Sequence, residues 1–344
     1  MGRFYDGTKL LSLKDLNGNR PEIYMCTSNR SAGKTTYFNR LCVNKFIKNK
    51  EKFMLVYRFK NELDSVAEMF FKDIKVLFFP EYDMVARSRA KGVYYELFLN
   101  EESCGYAVAL NSADSIKKHS HEFSDVKRML MDEFQSEINK YCSDEIAKFI
   151  SIHTSVARGN GQYVRYVPVY LISNPVTILN PYYVELGITD RLNDNTNFLR
   201  GDGWVLEQGF VAEASNAQKE SAFNRAFSAN KYVAYASENV YLNDSKVFIE
   251  NMTGRSRYMG TIRYKGCDYG IRSYDDLGII YCDTRADLSF PLKVSVTVND
   301  HDINYVILKN NEFFVDNMRY YFTHGCFRFR NMRCKEAVLN MLKY

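Results

Sequence analysis

The stretch EIYMCTSNRSAGKT, residues 22–35, decides the fold. Glu22 to Thr27 is a short, mainly apolar run of strand type, and a polar turn closed by Gly33 follows it. From Lys34 the apolar positions Phe38, Leu41, Cys42 and Phe46 recur at helical spacing. Inside this strand–turn–helix, Ser28-Asn29-Arg30-Ser31-Ala32-Gly33-Lys34-Thr35 fits the phosphate-loop pattern G-x-x-x-x-G-K-[ST], with Ser28 replacing the first glycine. In such a loop successive backbone N–H groups and the start of the next helix point at phosphate oxygens. Gly33 allows close approach, Lys34 brings charge to the outer phosphates, and Thr35 offers a hydroxyl to Mg²⁺, with Thr36 beside it in the first turn. The tripeptide G-K-T alone says little. The strand before it and the helix after it supply the context that the motif requires. Ser28 restricts the φ freedom of the first position, which bears on the shape of the loop rather than on binding.

Downstream, FMLVY (residues 53–57) is a continuous apolar run, the mark of a strand covered on both faces. Leu63, Val66, Ala67 and Phe70 return to helical spacing. Val76 to Phe79, Met129 to Met131 and Val167 to Ile172 read as further strands, so the first 190 residues predict a doubly wound, mostly parallel α/β sheet. VYYELFL and CGYAVAL, enclosing NEES at residues 100–103, predict an antiparallel hairpin inserted in that sheet. Two strand ends carry chemistry. MLMDE ends in Asp132, suited to a metal's water shell, and Glu133, suited to polarising an attacking water. An acidic pair often only opens the next helix, where carboxylates suit the dipole; the phosphate loop upstream tips the reading toward catalysis. VYLISN ends in Ser173 and Asn174, which can sense the γ-phosphate on a neighbouring strand or simply form the turn before Pro175.

Composition sets limits on the rest. Of 344 residues, 15% are aromatic and 25% charged, enough core to exclude a disordered or fibrous chain. A net charge of +5 is compatible with a polyanionic partner without demanding one. Eight cysteines without a C-x-x-C pair predict reduced thiols in a cytosolic protein. No apolar run approaches the ~18 residues of a membrane span. Near Asn193 the texture changes to Asn, Asp and Gly, and Ala212 to Ala234 is Ala- and Ser-rich at helical spacing. From Lys246 period-two runs dominate (KVFIE, GTIRYKG, YGIRS, LGIIYCD, KVSVTV, NYVILK), ending in a helix at Lys335 to Leu342. The expected organisation is therefore residues 1–192 as a nucleotide-binding domain, 193–240 as a linker or lid, and 241–344 as an α+β domain.

SNRSAGKT, LVYRFKNELDSV (residues 55–66), MLMDEF (129–134) and LISNPVTILNPYY (171–183), in this order, resemble the DNA-packaging (encapsidation) ATPases of small tailed bacteriophages, relatives of the large terminase subunits. The resemblance continues through VFIE, IIYCD and FRFRN. It implies an ASCE-type P-loop ATPase domain followed by a ribonuclease H-like domain, and a homo-oligomeric ring motor, pentameric in the family. Such a motor uses ATP with Mg²⁺ to drive double-stranded viral DNA through the portal into a preformed procapsid, in the host cytoplasm and away from membranes. Whether docking uses a scaffold RNA stays open. The resemblance assigns ATP contacts to Ser28, Asn29, Arg30, Ser31, Ala32, Gly33, Lys34, Thr35, Thr36 and Arg58. It assigns metal binding to Thr35 and Asp132, catalysis to Glu133, Lys34 and Arg30, and coupling to Ser173 and Asn174. Arg158 falls where the family carries a trans-acting arginine finger, and Lys117 or Lys118 near a second trans-acting basic residue. Arg58 is equally well explained as an internal salt bridge.

A working nuclease would need carboxylates holding two metals. Glu250, Asp268, Asp283 and Asp287 are the candidates, and only Asp283 ends a strand convincingly, so a vestigial fold without cleavage is expected. Arg255, Arg257, Arg263, Lys265 and Arg272 face only Asp268 within residues 251–272, and Arg328, Arg330, Arg333 and Lys335 make a second basic group for DNA or docking. A motor should grip the phosphate backbone without reading sequence. The interleaved Tyr258, Tyr264, Tyr320, Tyr321, Phe327 and Phe329 fit a core better than a stacking surface. A helicase or DNA-remodelling ATPase, a P-loop phosphotransferase and a non-enzymatic DNA scaffold are the competing readings.

Overall fold

A computed structural model describes residues 4–66, 69–159, 163–192, 196–238, 240–242, 244, 246–307 and 312–343. The chain divides into two units, Met1–Asp244 and Ser245–Tyr344. In the first unit β1 (Ile23–Thr27), β2 (Lys52–Tyr57), β3 (Met84–Arg89), β4 (Tyr94–Leu99), β5 (Glu102–Ala109), β6 (Val126–Asp132), β7 (Val169–Ser173), β8 (Phe198–Gly201) and β9 (Trp204–Gln208) form one sheet. Its order is β3-β4-β5-β2-β6-β7-β1-β9-β8. The run from β5 to β9 is parallel throughout. Antiparallel pairs finish both edges.

The continuous apolar runs explain this arrangement, because successive side chains on each strand enter opposite cores. Met25, Met54, Val56, Met129, Met131, Val169 and Leu171 pack on one face. Tyr24, Cys26, Phe53, Leu55, Leu130, Tyr170 and Ile172 pack on the other, with Phe38, Cys42 and Phe46 of the helix Lys34–Asn49. A sheet buried on both faces exposes chemistry only at its strand ends. β1 and β6 lie on either side of β7, so the loops leaving their carboxyl ends open into a common crevice, where ligands of open α/β sheets bind.

Some expectations are corrected. Val76 to Phe79 is not a strand: Met69–Phe78 is a helix that buries Phe71 and Ile74 and leaves Val76 and Leu77 exposed. β3 escaped the sequence reading because MVARSR alternates poorly and sits at the sheet edge. The boundary expected at residue 193 falls inside the first unit, and β9 of the expected linker pairs in parallel with β1. Val205 and Leu206 enter the two cores, so WVLEQ is sheet rather than connection. The remainder of that segment forms the helices Ala212–Glu220, Ala222–Ala226 and Lys231–Glu238. Ala67 and residues 193–195 lie outside the described residues.

The second unit holds β10 (Arg257–Tyr264), β11 (Cys267–Tyr274), β12 (Ile279–Asp283), β13 (Lys293–Ser295), β14 (Val306–Ile307) and β15 (Phe327–Phe329), in the order β14-β13-β10-β11-β12-β15. β10, β11 and β12 form an antiparallel meander, and β13, β14 and β15 add in parallel. The helices Glu312–Thr323 and Met332–Met341 contribute Phe314, Val315, Met318, Val338 and Met341 to its core. The first of these helices was not anticipated, its aromatic residues obscuring the helical face. KVFIE makes only the bridge between Ile249 and Phe329. All eight cysteines are free thiols. No helix among the described residues is long and apolar enough to cross a membrane.

Candidate active site

The loop between β1 and its helix winds tightly. Ser31 and Gly33 both take positive φ, 60° and 94°, and at the second a side chain would be strained. Ser28 and Asn29 are fully buried beneath the loop rather than facing the crevice. The Asn29 amide donates to the Val211 carbonyl at 3.1 Å and accepts from the Val211 N–H at 3.0 Å, fastening the loop to the start of the helix Ala212–Glu220. Lys34 Nζ donates to Ser28 Oγ at 2.9 Å, to the Ser28 carbonyl at 3.1 Å and to Asn174 Oδ1 at 3.1 Å. Burial pulls the Lys34 ammonium below its ordinary pKa, and the charge of Asp132 opposes this. Lys34 thus ties the loop directly to the end of β7, where Ser173 is buried.

Thr35 Oγ1 donates to Asp132 Oδ2 at 2.8 Å, joining the helix to the end of β6. The other Asp132 oxygen accepts the Glu133 N–H at 2.8 Å. Loss of hydration raises the Asp132 pKa, although the Thr35 bond and the Lys34 charge work the other way. Glu133 leaves the strand in a left-handed conformation, φ 56°. Its carboxyl is also raised, first by desolvation and then by the charges of Asp132 and Glu137.

Residues 30–37, Asp132, Glu133, Ser173 and Asn174 line a cavity of about 810 Å³. Its remaining wall is Phe4, Tyr5, Leu77 and Phe78, an aromatic and apolar surface able to seat a flat base, with Arg40 lying 4.2 Å from the Phe78 ring centre. The loop and the residues expected to hold a metal (Thr35 and Asp132), to polarise water (Glu133) and to couple (Ser173 and Asn174) therefore converge. Arg58 does not line this cavity. It is buried, its Nε contacts both Glu145 carboxylate oxygens at 3.0 and 3.1 Å, and its Nη2 donates to the Glu133 and Phe134 carbonyls at 3.2 and 2.8 Å. Glu145 accepts in addition from Tyr182 at 3.0 Å and from the Cys142 N–H at 2.9 Å. Arg58 thus holds the backbone that aims Glu133, and removing either partner of this buried pair would cost about 3–5 kcal/mol.

Arg30 lines the cavity but is anchored outside the loop. Its guanidinium pairs with Glu137 and lies 5.4 and 5.7 Å from the ring centres of Tyr232 and Tyr235. Tyr235 also donates to Glu137 at 2.7 Å. Arg158 is exposed beyond the helix Glu145–Val156 and does not line the cavity. Lys117 pairs with Asp114 at 3.2 Å, whereas Lys118 is exposed without an ion pair among the described residues.

Glu137, Glu145 and the aromatic wall were missed. Glu145 opens a helix, where a glutamate is ordinary, and only the tertiary fold brings Arg58 to it. Glu137 lies in a turn without periodicity, and Phe4, Tyr5 and Phe78 come from distant segments.

In the second unit the basic groups are largely engaged. Arg263 pairs with Asp268 and Asp302, Lys265 with Glu336, Arg257 with Asp275 and Arg328 with Glu250. Arg333 donates to Cys267 Sγ at 2.9 Å and Lys335 to the Val247 carbonyl at 2.8 Å, while Arg330 is exposed. Tyr264, Phe327 and Phe329 are core residues. Among the described residues no three carboxylate, histidine or cysteine groups come together as a metal site. Asp287 caps its own turn through Ser289.

A family model described as Podovirus DNA encapsidation protein (Gp16) matches residues 2–343. The chain is 26% identical to the DNA packaging protein of Bacillus phage phi29 over 344 residues, covering 99% of this chain and 97% of the relative. A chain of the bacteriophage phi29 viral genome packaging motor assembly has the same fold, with a TM-score of 0.71 at 23% identity over 100% of this chain and 98% of that one. A chain of the Phi-28 gp11 DNA packaging motor is similar over 100% of this chain and 99% of its own, with a TM-score of 0.63 at 15% identity.

A Glu133 carboxylate that polarises water, as the sequence reading expects, must be ionised to do so, and with its raised pKa the activity would then be lost as pH falls through that raised value. Glu137→Gln removes a neighbouring negative charge and releases Arg30. The acid limb of the pH–rate profile for nucleoside triphosphate hydrolysis should therefore move to lower pH. An unmoved limb would disconnect Glu137 from Glu133.

Proposed function

The chain belongs to the podovirus DNA encapsidation proteins and packages viral DNA, and on that premise we propose that its crevice hydrolyses ATP to drive packaging. The observation that carries this reading is the convergence of three strand ends on one cavity, through the Thr35–Asp132 and Lys34–Asn174 hydrogen bonds. The triphosphate lies along residues 30–35 with Lys34 moving onto its outer phosphates, and the base rests on the wall of Phe4, Tyr37 and Phe78. The donor set of a threonine hydroxyl and a carboxylate suits a hard cation, so Thr35 and Asp132 would hold Mg²⁺, directly or through water. When bound, that ion offsets charge on the β- and γ-phosphates. Glu133, whose carboxylate has no hydrogen-bond partner among the described residues, orients water for attack on the γ-phosphorus, and the bond to the ADP oxygen breaks. Asn174, already bonded to Lys34, feels the change when the γ-phosphate leaves.

A single strand, β7, between the loop strand and the acid strand supports the ASCE assignment. Arg158 and Lys118, exposed and away from the cavity of their own subunit, support trans action across a ring, pentameric in keeping with the resemblance. Lys117, held by Asp114, is the weaker candidate of the two lysines. Double-stranded DNA, the portal and the procapsid are the partners of this motor, which works in the host cytoplasm.

The second unit is read as a vestigial ribonuclease H-like domain. An antiparallel meander continued by parallel strands supports the fold. Arginine partners on Glu250, Asp268 and Asp283 support the loss of cleavage, since each occupies a carboxylate that a metal would need.

Two outcomes follow. Lys34→Ala should abolish the ATP turnover stimulated by double-stranded DNA and emptied procapsids; stimulated turnover that survives it would exclude the loop as the engine. Incubation of the wild type with Mg²⁺ or Mn²⁺ and either linear or circular DNA should leave both intact, and metal-dependent nicking would refute a vestigial domain.

A further inference from the structure

Asp283 ends β12 fully buried, where a nuclease acid would be expected, yet it is committed to two arginines. Its Oδ2 takes Arg272 Nε at 3.2 Å and Arg285 Nη2 and Nε, each at 3.2 Å; its Oδ1 takes the Arg285 N–H at 3.0 Å. Arg272 Nη2 donates to the Arg285 carbonyl at 2.8 Å, and its guanidinium lies 4.9 Å from the Tyr258 ring centre. One guanidinium suffices to neutralise one carboxylate. The second guanidinium is held in a fixed orientation by the same buried anchor, and Asp287 is the further carboxylate whose charge reaches Arg272. Arg285 is 65% exposed, and among the described contacts neither Arg272 Nη1 nor Arg285 Nη1 has a protein acceptor.

Both arginines open onto a cavity of about 390 Å³ in the second unit, lined also by Thr253, Gly254, Ser256 and Tyr274. Thr253 and Ser256 add hydroxyl donors without a partner of their own among the described residues, and Gly254 turns the segment at φ 113°. The cavity is too open and too polar for a hydrophobic ligand. Paired guanidiniums with hydroxyls beside them match the oxygens of a phosphate group.

We infer that this cavity is a phosphodiester-binding site, in which Arg272 and Arg285, oriented by Asp283, grip the backbone of a nucleic-acid duplex. This rests on the DNA-packaging reading and identifies a grip that reading left unassigned. Of the four residues first expected to do this, Arg328, Arg333 and Lys335 make donor contacts inside the domain, while Arg330 is exposed. The contact is to phosphate alone, so it carries no base preference. DNA and RNA backbones share this chemistry.

The test uses the full chain and two probes of one sequence, a 30-base-pair DNA duplex and the matching RNA duplex, titrated by fluorescence anisotropy across a KCl series. Arg285→Gln alters an exposed side chain and should leave thermal unfolding and basal ATP turnover unchanged. It should weaken binding several-fold and reduce the slope of log affinity against log salt by about one. A loss confined to one duplex also supports the site and identifies the backbone it holds. Wild-type binding with an unchanged affinity and slope for the variant overturns the site while leaving the packaging reading intact. Absence of wild-type binding to either duplex overturns both.

Discussion

The hydrogen bond from Thr35 to Asp132, 2.8 Å long, joins two segments far apart in the chain, and the first unit is built to make it. Thr35 stands in the first turn of the helix after β1, and Asp132 at the end of β6. Neither residue can reach the other unless β1, β7 and β6 lie side by side and in parallel. The apolar runs on those strands enforce that arrangement, because each strand buries side chains in both cores and cannot be shifted without exposing one set. The energetic constraint is thus hydrophobic and global, while the chemistry it produces is polar and confined to the strand ends.

Around this bond the site stores strain and charge. Glu133 adopts a positive φ that a non-glycine residue resists, and Arg58, buried with Glu145, holds the two carbonyls that fix the turn. Loss of hydration raises both Asp132 and Glu133 toward the range where a carboxylate accepts a proton more readily. Arg30, whose charge opposes the rise at Glu133, pairs with Glu137 and lies against the tyrosines of the helix Lys231–Glu238. That connection ties the phosphate loop to the segment nearest the end of the first unit.

Motifs confined to one segment were legible in the sequence: the loop with Lys34 and Thr35, the pair Asp132 and Glu133, and Ser173 with Asn174. Each combines a local pattern with a strand end, and continuous runs such as FMLVY identified the sheet. What stayed hidden depends on partners distant in sequence. For Arg58 the position after β2 allowed a nucleotide contact or an internal salt bridge equally; the structure shows the salt bridge, and its partner Glu145 lies in a segment that carries no signal of its own. Val76 to Phe79 looked like a strand because a short apolar run does not distinguish strand from helix. The basic clusters of the second unit were overestimated for a similar reason. Asp275, Asp302 and Glu250 lie outside the windows counted, and folding brings them against Arg257, Arg263 and Arg328.

In the proposed function, binding and hydrolysis share one cavity but use separate residues, the loop for the former and Glu133 for the latter. Glu133→Gln, compared with wild type by equilibrium ATP binding and by single-turnover hydrolysis, tests this most directly. Affinity for ATP should stay within about threefold while the hydrolytic step slows by at least about 100-fold. Hydrolysis at the wild-type rate, or a parallel collapse of binding, would contradict the division of labour.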